Sequence, residues 1–427
     1  MFKLGVKIIK KLYRRVLQSI AFYPVLISLG FFLLALIILE LESMELAKQI
    51  KQQIPYFFIE DYETARAILT TLIGGILSLT VFSFTMVMVV LSQASSNFSP
   101  RLLPSLISNK RHQLILGVYI GTLLFCIIIL IVLGAYGIDA NSVGFSTMLA
   151  AIFGVVCVGL FVYFIHSISV SIQIQNIIEG ISKSTSRFLD REHEDLSAQK
   201  VGLQVHKMKD FETIYSHKSG YFSGFDESLL TDSLIDQGHH IEVLPFIGRH
   251  VWEGMPLLRV QKLFEGKDME DLLLCVDVSK TRTDKDNGIG GFIKLMEIAV
   301  KAMSPGINDP GTAIDAINKL APLLIKAMGF PNTTSVSLKE GKVILVRNNI
   351  RAKELMQIII QPIRLYAKKD CSVVITLIGA LKHMARDVTI SKDYREEVQK
   401  ELKALKLDVE GNIENEYDRE KILALFQ

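Results

Sequence analysis

Four long runs without a single Lys, Arg, Asp or Glu dominate the first two-fifths of the chain. They cover residues 16–39, 67–100, 112–138 and 140–178. A helix needs about 20 apolar residues to cross roughly 30 Å of hydrocarbon, whereas a helix of a water-soluble core carries charges on its outer face. The pattern therefore predicts four membrane spans, at about residues 19–40, 67–92, 113–136 and 146–171.

The positions of Lys and Arg predict the orientation of these spans. Basic residues precede the first span and separate the second from the third: Lys3, Lys7, Lys10, Lys11, Arg14, Arg15, Arg101, Lys110 and Arg111. The loop after the first span is instead acidic, with Glu40, Glu42 and Glu45 among its residues. Because basic loops stay in the cytoplasm, we expect residues 1–18 to form a basic interfacial helix and both termini to be cytoplasmic. The location that follows is the cell (inner) membrane.

The part after residue 178 has the patterning of a folded cytoplasmic α+β domain. Short alternating segments at 220–226, 240–259 and 272–278 predict strands. Helical spacing recurs at 289–303, from 310 to 329 at most, and at 352–366, 372–386 and 394–405, with a hairpin at 335–347. We therefore divide the chain into a four-span domain at 19–178, a small β-rich subdomain at 179–280 and a mainly helical subdomain at 281–427. No element is assigned to the polar stretch 183–210 or to the charged tail 407–427.

Composition excludes several classes of protein. Acidic and basic residues nearly balance after residue 178, which removes the main physical support for nucleic-acid binding. The four cysteines form no CxxC or Cys/His pattern, and no phosphate-binding, dinucleotide or hydrolase motif occurs. We accordingly expect no cofactor, no metal site and no catalytic centre.

Small polar residues form a stripe along the second span. Thr71, Ser78, Thr85 and Ser92 follow one another at intervals of seven residues, which is close to two helical turns. Two interpretations stay open: the stripe is a helix contact, as small residues commonly are in membranes, or it lines a polar path. In the third span, Gly117 and Gly121 have the spacing that allows two helix backbones to approach closely.

The fourth span has a polar face near its predicted cytoplasmic end. His166, Ser169, Gln173 and Asn176 fall at helical spacing on one side. An ionisable side chain within a span favours a functional role, so His166 and Ser169 join the candidate polar path. The alternative is a helix that is emerging among the lipid headgroups.

A sharp corner is predicted between two helices of the soluble part. Ser304-Pro305-Gly306 ends the first helix, and Asp309-Pro310 begins the second with an N-cap and a first-turn proline. The start of that helix, with Asn308 and Thr312, either binds an anionic small molecule or is ordinary capping. Together with Arg282 and Asp286, these residues form the candidate ligand or structural motif.

Five segments of the chain resemble a known family. They are Ser96-Asn-Phe-Ser-Pro-Arg-Leu102, Gly220-Tyr221, Val251-x-x-Gly254-x-Pro256-Leu257, Arg282-Thr283-x-x-Asp286 and Ala302-Met-Ser-Pro-Gly-Ile-Asn-Asp-Pro310-x-Thr-Ala313. The chain is similar in these to predicted bacterial membrane proteins with domain of unknown function 2254. Gly311 departs from the pattern, which has a bulky residue there. The resemblance implies four spans and a cytoplasmic domain, and it implies no activity.

Three hypotheses of function follow. The leading one is a homo-oligomeric ion conduit in the lipid bilayer, with the cytoplasmic part as an assembly and sensing domain. Because four helices enclose little space, its path would lie between subunits. The alternative is a membrane-anchored sensor or scaffold that binds a small anionic ligand at Ser304–Thr312 without transport. An enzyme that uses Arg282, Asp284, Asp286 and Asp309 ranks last.

Overall fold

The computed structural model describes residues 21–43, 61–97, 110–135, 144–171, 173–198, 211–231, 240–261, 266–282, 288–338 and 343–427, with Ser19, Ile59 and Phe264. It divides into two compact units, Met1–Gln173 and Ile174–Gln427. The predicted interfacial helix at residues 1–18 lies outside the described residues.

The first unit contains four long apolar helices: α1 (Phe22–Ser43), α2 (Tyr62–Asn97), α3 (Lys110–Ala135) and α4 (Gly144–Ser171). All four are long and apolar enough to cross a membrane, as the charge-free runs predicted. Helix α3 contacts the other three and buries the largest share of its surface. Two apolar clusters fill the space between the helices, one around Phe125 and Ile129 and the other around Tyr119 and Phe164.

Glycines set the closest helix contacts of this unit. A Cβ atom at Gly117 would lie 2.8 Å from Ile27 Cδ1, and one at Gly121 would lie 2.7 Å from the Phe31 ring. Both partners belong to α1, so the prediction that Gly117 and Gly121 permit a close helix approach is confirmed. Gly154 of α4 has the same role against Leu72 of α2.

The second unit begins with α5 (Ile174–Ala198) and contains two sheets. Its strands are β1 (Glu212–Tyr215), β2 (Gly220–Phe225), β3 (His240–Val243), β4 (His250–Val251), β5 (Pro256–Val260), β6 (Val276–Ser279), β7 (Thr333–Leu338) and β8 (Val343–Asn348). The five-stranded sheet has the order β1-β5-β3-β8-β7, and the three-stranded sheet has the order β4-β2-β6. Strands β3 and β8 pair in parallel, so the larger sheet takes strands from both sides of residue 280.

The helices of this unit are α6 (Gly266–Cys275), α7 (Gly288–Ala302), α8 (Pro310–Met328), α9 (Ala352–Leu355), α10 (Gln361–Ala367), α11 (Cys371–Arg386), α12 (Lys392–Asn412) and α13 (Glu416–Ala424). A π-helical turn, Met356–Ile360, joins α9 to α10 just before Pro362. The expected fold class, four apolar helices followed by a mixed α/β region, is confirmed.

Some element boundaries differ from the sequence-based expectation. Residues 272–275 are the end of α6 rather than part of a strand, and only Val276–Ser279 is extended. The predicted polar stretch at 183–210 is helical as far as Ala198, where α5 ends. Helix α5 packs against α7 and α8. The charged tail contains the end of α12 and all of α13.

Candidate functional site

The hydroxyl stripe of α2 lies on the outside of the four-helix unit. Thr71, Ser78, Thr85 and Ser92 are all exposed. The hydroxyl of Ser78 donates to the Gly74 carbonyl oxygen at 2.9 Å, and that of Thr85 donates to the Val81 carbonyl oxygen at 2.9 Å. Bonds of this kind satisfy a hydroxyl within its own helix. The stripe therefore stays available for contact outside the helices of its own unit.

Glycines beside this stripe are open, in contrast to the glycines at the helix contacts within the unit. A Cβ atom at Gly74 or Gly75 would meet nothing within 4 Å among the residues that the structure describes. Gly117, Gly121 and Gly154, by comparison, are filled by side chains of neighbouring helices. The small residues of α2 thus form a separate surface that no described helix of the chain covers.

The polar face predicted at the end of the fourth span is interrupted. His166 and Ser169 are exposed on α4, but α4 ends at Ser171 and α5 begins at Ile174. Gln173 lies between the two helices and Asn176 belongs to α5, so the expectation of one continuous helical face is wrong. The break follows from the change of environment, because α4 is apolar all round and α5 is amphipathic.

The interior of the four-helix unit holds several polar groups that the sequence did not single out. His112 Nε2 lies 3.3 Å from the Ser167 hydroxyl, and the His112 ring packs edge-on against Phe164. Thr122 accepts a hydrogen bond from Cys157 Sγ at 3.6 Å. Apolar side chains of the two clusters lie in the same interior.

Glu42 is the most consequential residue that the sequence analysis missed. The charge pattern predicts that Glu42 lies in the acidic first loop, whereas the structure extends α1 to Ser43 and leaves Glu42 only 9% exposed. Its carboxylate accepts hydrogen bonds from the N–H groups of Phe145 (2.6 Å) and Ser146 (3.2 Å) and from the Ser146 hydroxyl. It thereby caps α4 from another helix. No local sequence signal marks this role, since the partners are about 100 residues apart.

The corner between α7 and α8 forms as predicted. Asp309 caps α8: its Oδ1 accepts from the Thr312 N–H at 3.1 Å and its Oδ2 accepts from the Thr312 hydroxyl at 2.6 Å. The Ser304 hydroxyl donates to the Lys301 carbonyl oxygen at 2.6 Å, and Asn308 adopts a left-handed conformation with φ of 49°. Both carboxylate oxygens of Asp309 serve the helix start, which places negative charge where an anion would bind.

The remaining motif residues do not all fall within the described structure. Asp284 and Asp286 lie outside it. Arg282 stacks its guanidinium 4.9 Å from the centre of the Tyr221 ring, and Tyr221 packs edge-on against His250. Asp309, by contrast, is engaged with Thr312. Among the residues that the structure describes, no group of three or more His, Cys, Asp or Glu is arranged to hold a metal ion.

Four helices of membrane-spanning length, followed by a mixed α/β unit, are the architecture of a multi-pass membrane protein. The chain belongs to the family described as predicted membrane protein with domain of unknown function 2254 (DUF2254), whose model matches residues 18–383. The resemblance inferred from the sequence motifs is therefore confirmed. The family description gives no activity.

Relatives among curated proteins are mycobacterial. Uncharacterized proteins of Mycobacterium bovis and of two strains of Mycobacterium tuberculosis are each 26% identical to this chain over 266 residues. The match covers 60% of this chain and 49% of each relative, so it spans about half the length of the curated proteins. No solved structure matches the chain.

Proposed function

We propose that this protein is the subunit of a homo-oligomeric ion conduit in the cell (inner) membrane, with its path between subunits and its termini in the cytoplasm. The observation that carries the proposal is the position of the α2 stripe. Four hydroxyl residues at seven-residue spacing lie on the outer surface rather than in the interior. A path within one subunit finds no such lining among the described residues.

Self-association is supported by the open glycines. In lipid, helices associate through small residues that let backbones approach, because lipid tails give apolar side chains no reason to leave them. Gly74 and Gly75 provide such a surface next to Ser78, and no described helix of the same chain uses it. A second copy of α2, or of another span, is the partner that fits this surface.

The chemistry of the stripe favours weak, transient contact with ions. Hydroxyl oxygens that already donate to their own helix remain acceptors, as in Ser78 and Thr85. Conduction requires binding that is favourable enough for entry and weak enough for release, and uncharged hydroxyls meet that condition. His166 and Ser169 are exposed on α4 and are the further polar residues that we include in the path.

Ion flux into liposomes tests the proposal, with a matched pair of substitutions. Thr85→Val removes a hydroxyl of the stripe. Thr80→Val makes the same change on the partly buried side of α2, where the hydroxyl also donates within its helix, to Ile76 at 2.8 Å. We expect Thr85→Val to reduce flux several-fold and Thr80→Val to leave it near the wild-type value. A monomeric mass in detergent, or flux no greater than that of empty vesicles, would contradict the proposal.

A further inference from the structure

Aromatic side chains form a row on one face of the three-stranded sheet. Tyr221 of β2 lies opposite His250 of β4 and opposite Ser279 of β6. Paired residues of antiparallel strands project from the same face, so these three side chains lie on one side of the sheet. Their sequence neighbours Phe222 and Val278 project from the other side, where they pack in the apolar core. The aromatic row is therefore on the face that is turned away from this core.

The row runs from a guanidinium group to an exposed indole. Arg282 places its guanidinium carbon 4.9 Å from the centre of the Tyr221 ring, and the ring centres of Tyr221 and His250 are 5.0 Å apart. His250 in turn packs edge-on against Trp252, with 4.7 Å between ring centres. His250 Nδ1 forms no hydrogen bond with any described residue, so ring contacts rather than a bond at this nitrogen position the side chain. Trp252 ends the row and is 60% exposed.

The two ends of the row suit two parts of one ligand. An exposed indole is a surface on which a flat ring stacks, and a guanidinium group is the side chain that best binds a phosphate. Aromatic residues and arginine are also the residue types that are enriched where proteins bind partners. We propose that this face of the sheet binds a nucleotide, with its base stacked on Trp252 and its phosphate attracted by Arg282.

The charge of the soluble part favours a single nucleotide over a polyanion. Acidic and basic residues nearly balance after residue 178. Nucleic acids and anionic membrane surfaces are both bound through many basic residues, whereas one phosphate needs only one arginine. The proposal is independent of the conduit, because all of its residues belong to the second unit.

Trp252 is the single tryptophan of the chain, so its fluorescence reports directly on this site. Full-length protein in detergent is titrated with adenosine, guanosine, cytidine and uridine monophosphates, and N-acetyltryptophanamide corrects for the light that the nucleotides absorb. The nucleoside and the ribose phosphate of the tightest binder are then compared with it. We expect saturable quenching by the nucleotide, several-fold weaker binding of the nucleoside and no quenching by the ribose phosphate.

Two substitutions separate the phosphate contact from a general effect of charge. Arg282→Gln should weaken binding of the nucleotide several-fold, to the level of the nucleoside, and should leave binding of the nucleoside unchanged. Arg249→Gln is the matched control, because Arg249 is exposed and its guanidinium carbon lies 5.9 Å from a different ring, that of Phe246. This control should bind the nucleotide as the wild type does.

The stacking contact is tested by Trp252→Ala, with binding measured by equilibrium dialysis because the fluorescent reporter is lost. The side chain is exposed, so we expect the variant to fold and to lose nucleotide binding.

Four results would overturn the proposal. They are the absence of quenching by every nucleotide, equal weakening by Arg282→Gln and Arg249→Gln, and unchanged nucleotide binding in Trp252→Ala, which decides alone if Arg282→Gln does not fold. The fourth is a blue shift of Trp252 emission on transfer into phosphatidylglycerol vesicles without any effect of nucleotides, which would show that this face contacts lipid.

Discussion

Glu42 binds Ser146 twice, through the backbone N–H at 3.2 Å and through the hydroxyl, and so fixes the end of α1 to the start of α4. The carboxylate is nearly buried, and it lies where the dipole of α4 is positive. A side chain from one helix thus performs the capping that a residue of the capped helix usually performs. The contact gives the acidic end of the first span a structural role.

Loss of this carboxylate should loosen the four-helix unit. Glu42→Ala removes the acceptor of three hydrogen bonds. Two backbone N–H groups in the first turn of α4 then lose the carboxylate to which they donate. Because hydrogen bonds to charged groups contribute about 1.5–3 kcal/mol, we expect a drop of that order in the free energy of unfolding. Thermal melting in detergent measures it.

The control for this prediction is Glu40→Ala, two residues earlier on the same helix. Glu40 is exposed, so its removal should change the melting temperature much less. Glu42→Gln keeps an oxygen acceptor but not the charge, and it should fall between the wild type and Glu42→Ala. Equal melting temperatures for Glu40→Ala and Glu42→Ala would show that the cap contributes nothing.

Glycine substitutions should separate contacts within the subunit from contacts between subunits. In Gly121→Ala the new Cβ would lie 2.7 Å from the Phe31 ring and 3.1 Å from Phe31 Cβ, so α1 and α3 must move apart. Overpacking of this kind costs about 1–3 kcal/mol. The measurement is the melting temperature of the full-length protein in detergent, which should fall.

Gly74→Leu is the change on the open side of α2. A Cβ atom at Gly74 would meet nothing within 4 Å among the described residues, and leucine is the better helix former, so the melting temperature of the isolated subunit should not fall. If α2 forms the contact between subunits, this variant should instead lower the oligomer fraction in a detergent mass measurement. An unchanged oligomer would remove Gly74 from any such contact.

The parts of the fold that sequence predicts are those set by local chemistry. A long run without charged residues coincides with each of the four apolar helices. At Asp309-Pro310, the aspartate caps the helix and the proline occupies its first turn, so the helix start is encoded locally. The prediction of a strand at 272–275 is wrong because a short apolar run has no period that distinguishes a helix end from a buried strand. The role of Glu42 was beyond prediction, since it depends on an approach between α1 and α4 that no neighbouring residue encodes.

Prediction of the candidate site from the sequence has the same limit. The seven-residue spacing of Thr71, Ser78, Thr85 and Ser92 correctly puts them on one side of α2. Whether that side faces inward or outward depends on the packing of the other three helices. The burial of Ser83 and Tyr119 likewise depends on how the helices pack, because each residue alone is unremarkable in its helix.

Asp309→Ala tests whether the corner between α7 and α8 is structural. The change removes both bonds to Thr312, and loss of an N-cap costs about 0.5–2 kcal/mol. We expect a lower melting temperature without any added ligand. Gly311→Ala is the control: its Cβ would lie 3.4 Å from Asp309 Oδ1, an ordinary contact, so stability should hardly change. A stable Asp309→Ala variant would contradict the capping role.

Helix α5 should lose contacts with α8 in acid. Lys319 Nζ lies 2.5 Å from Glu179 Oε2 and Lys326 Nζ lies 2.6 Å from Asp190 Oδ1. Hydrogen bonds from these lysines lower the pKa of Glu179 below 4.5 and that of Asp190 below 3.8. A carboxyl whose pKa is lower in the folded state stabilises the fold above its ordinary pKa, and this stability is lost as pH falls through the lower, folded value.

The prediction concerns the difference in melting temperature between the wild type and Glu179→Gln. At about pH 6 both carboxylates are ionised, and the variant should melt slightly lower, by the small amount typical of an exposed ion pair. As the pH falls through the lowered pKa of Glu179, the carboxylate takes up a proton and the difference in melting temperature should vanish. Added salt should reduce the difference while the carboxylate is ionised. Melting curves from about pH 3 to pH 6 measure this. A difference that persists in acid would mean that the glutamate stabilises α5 by packing rather than by its charge.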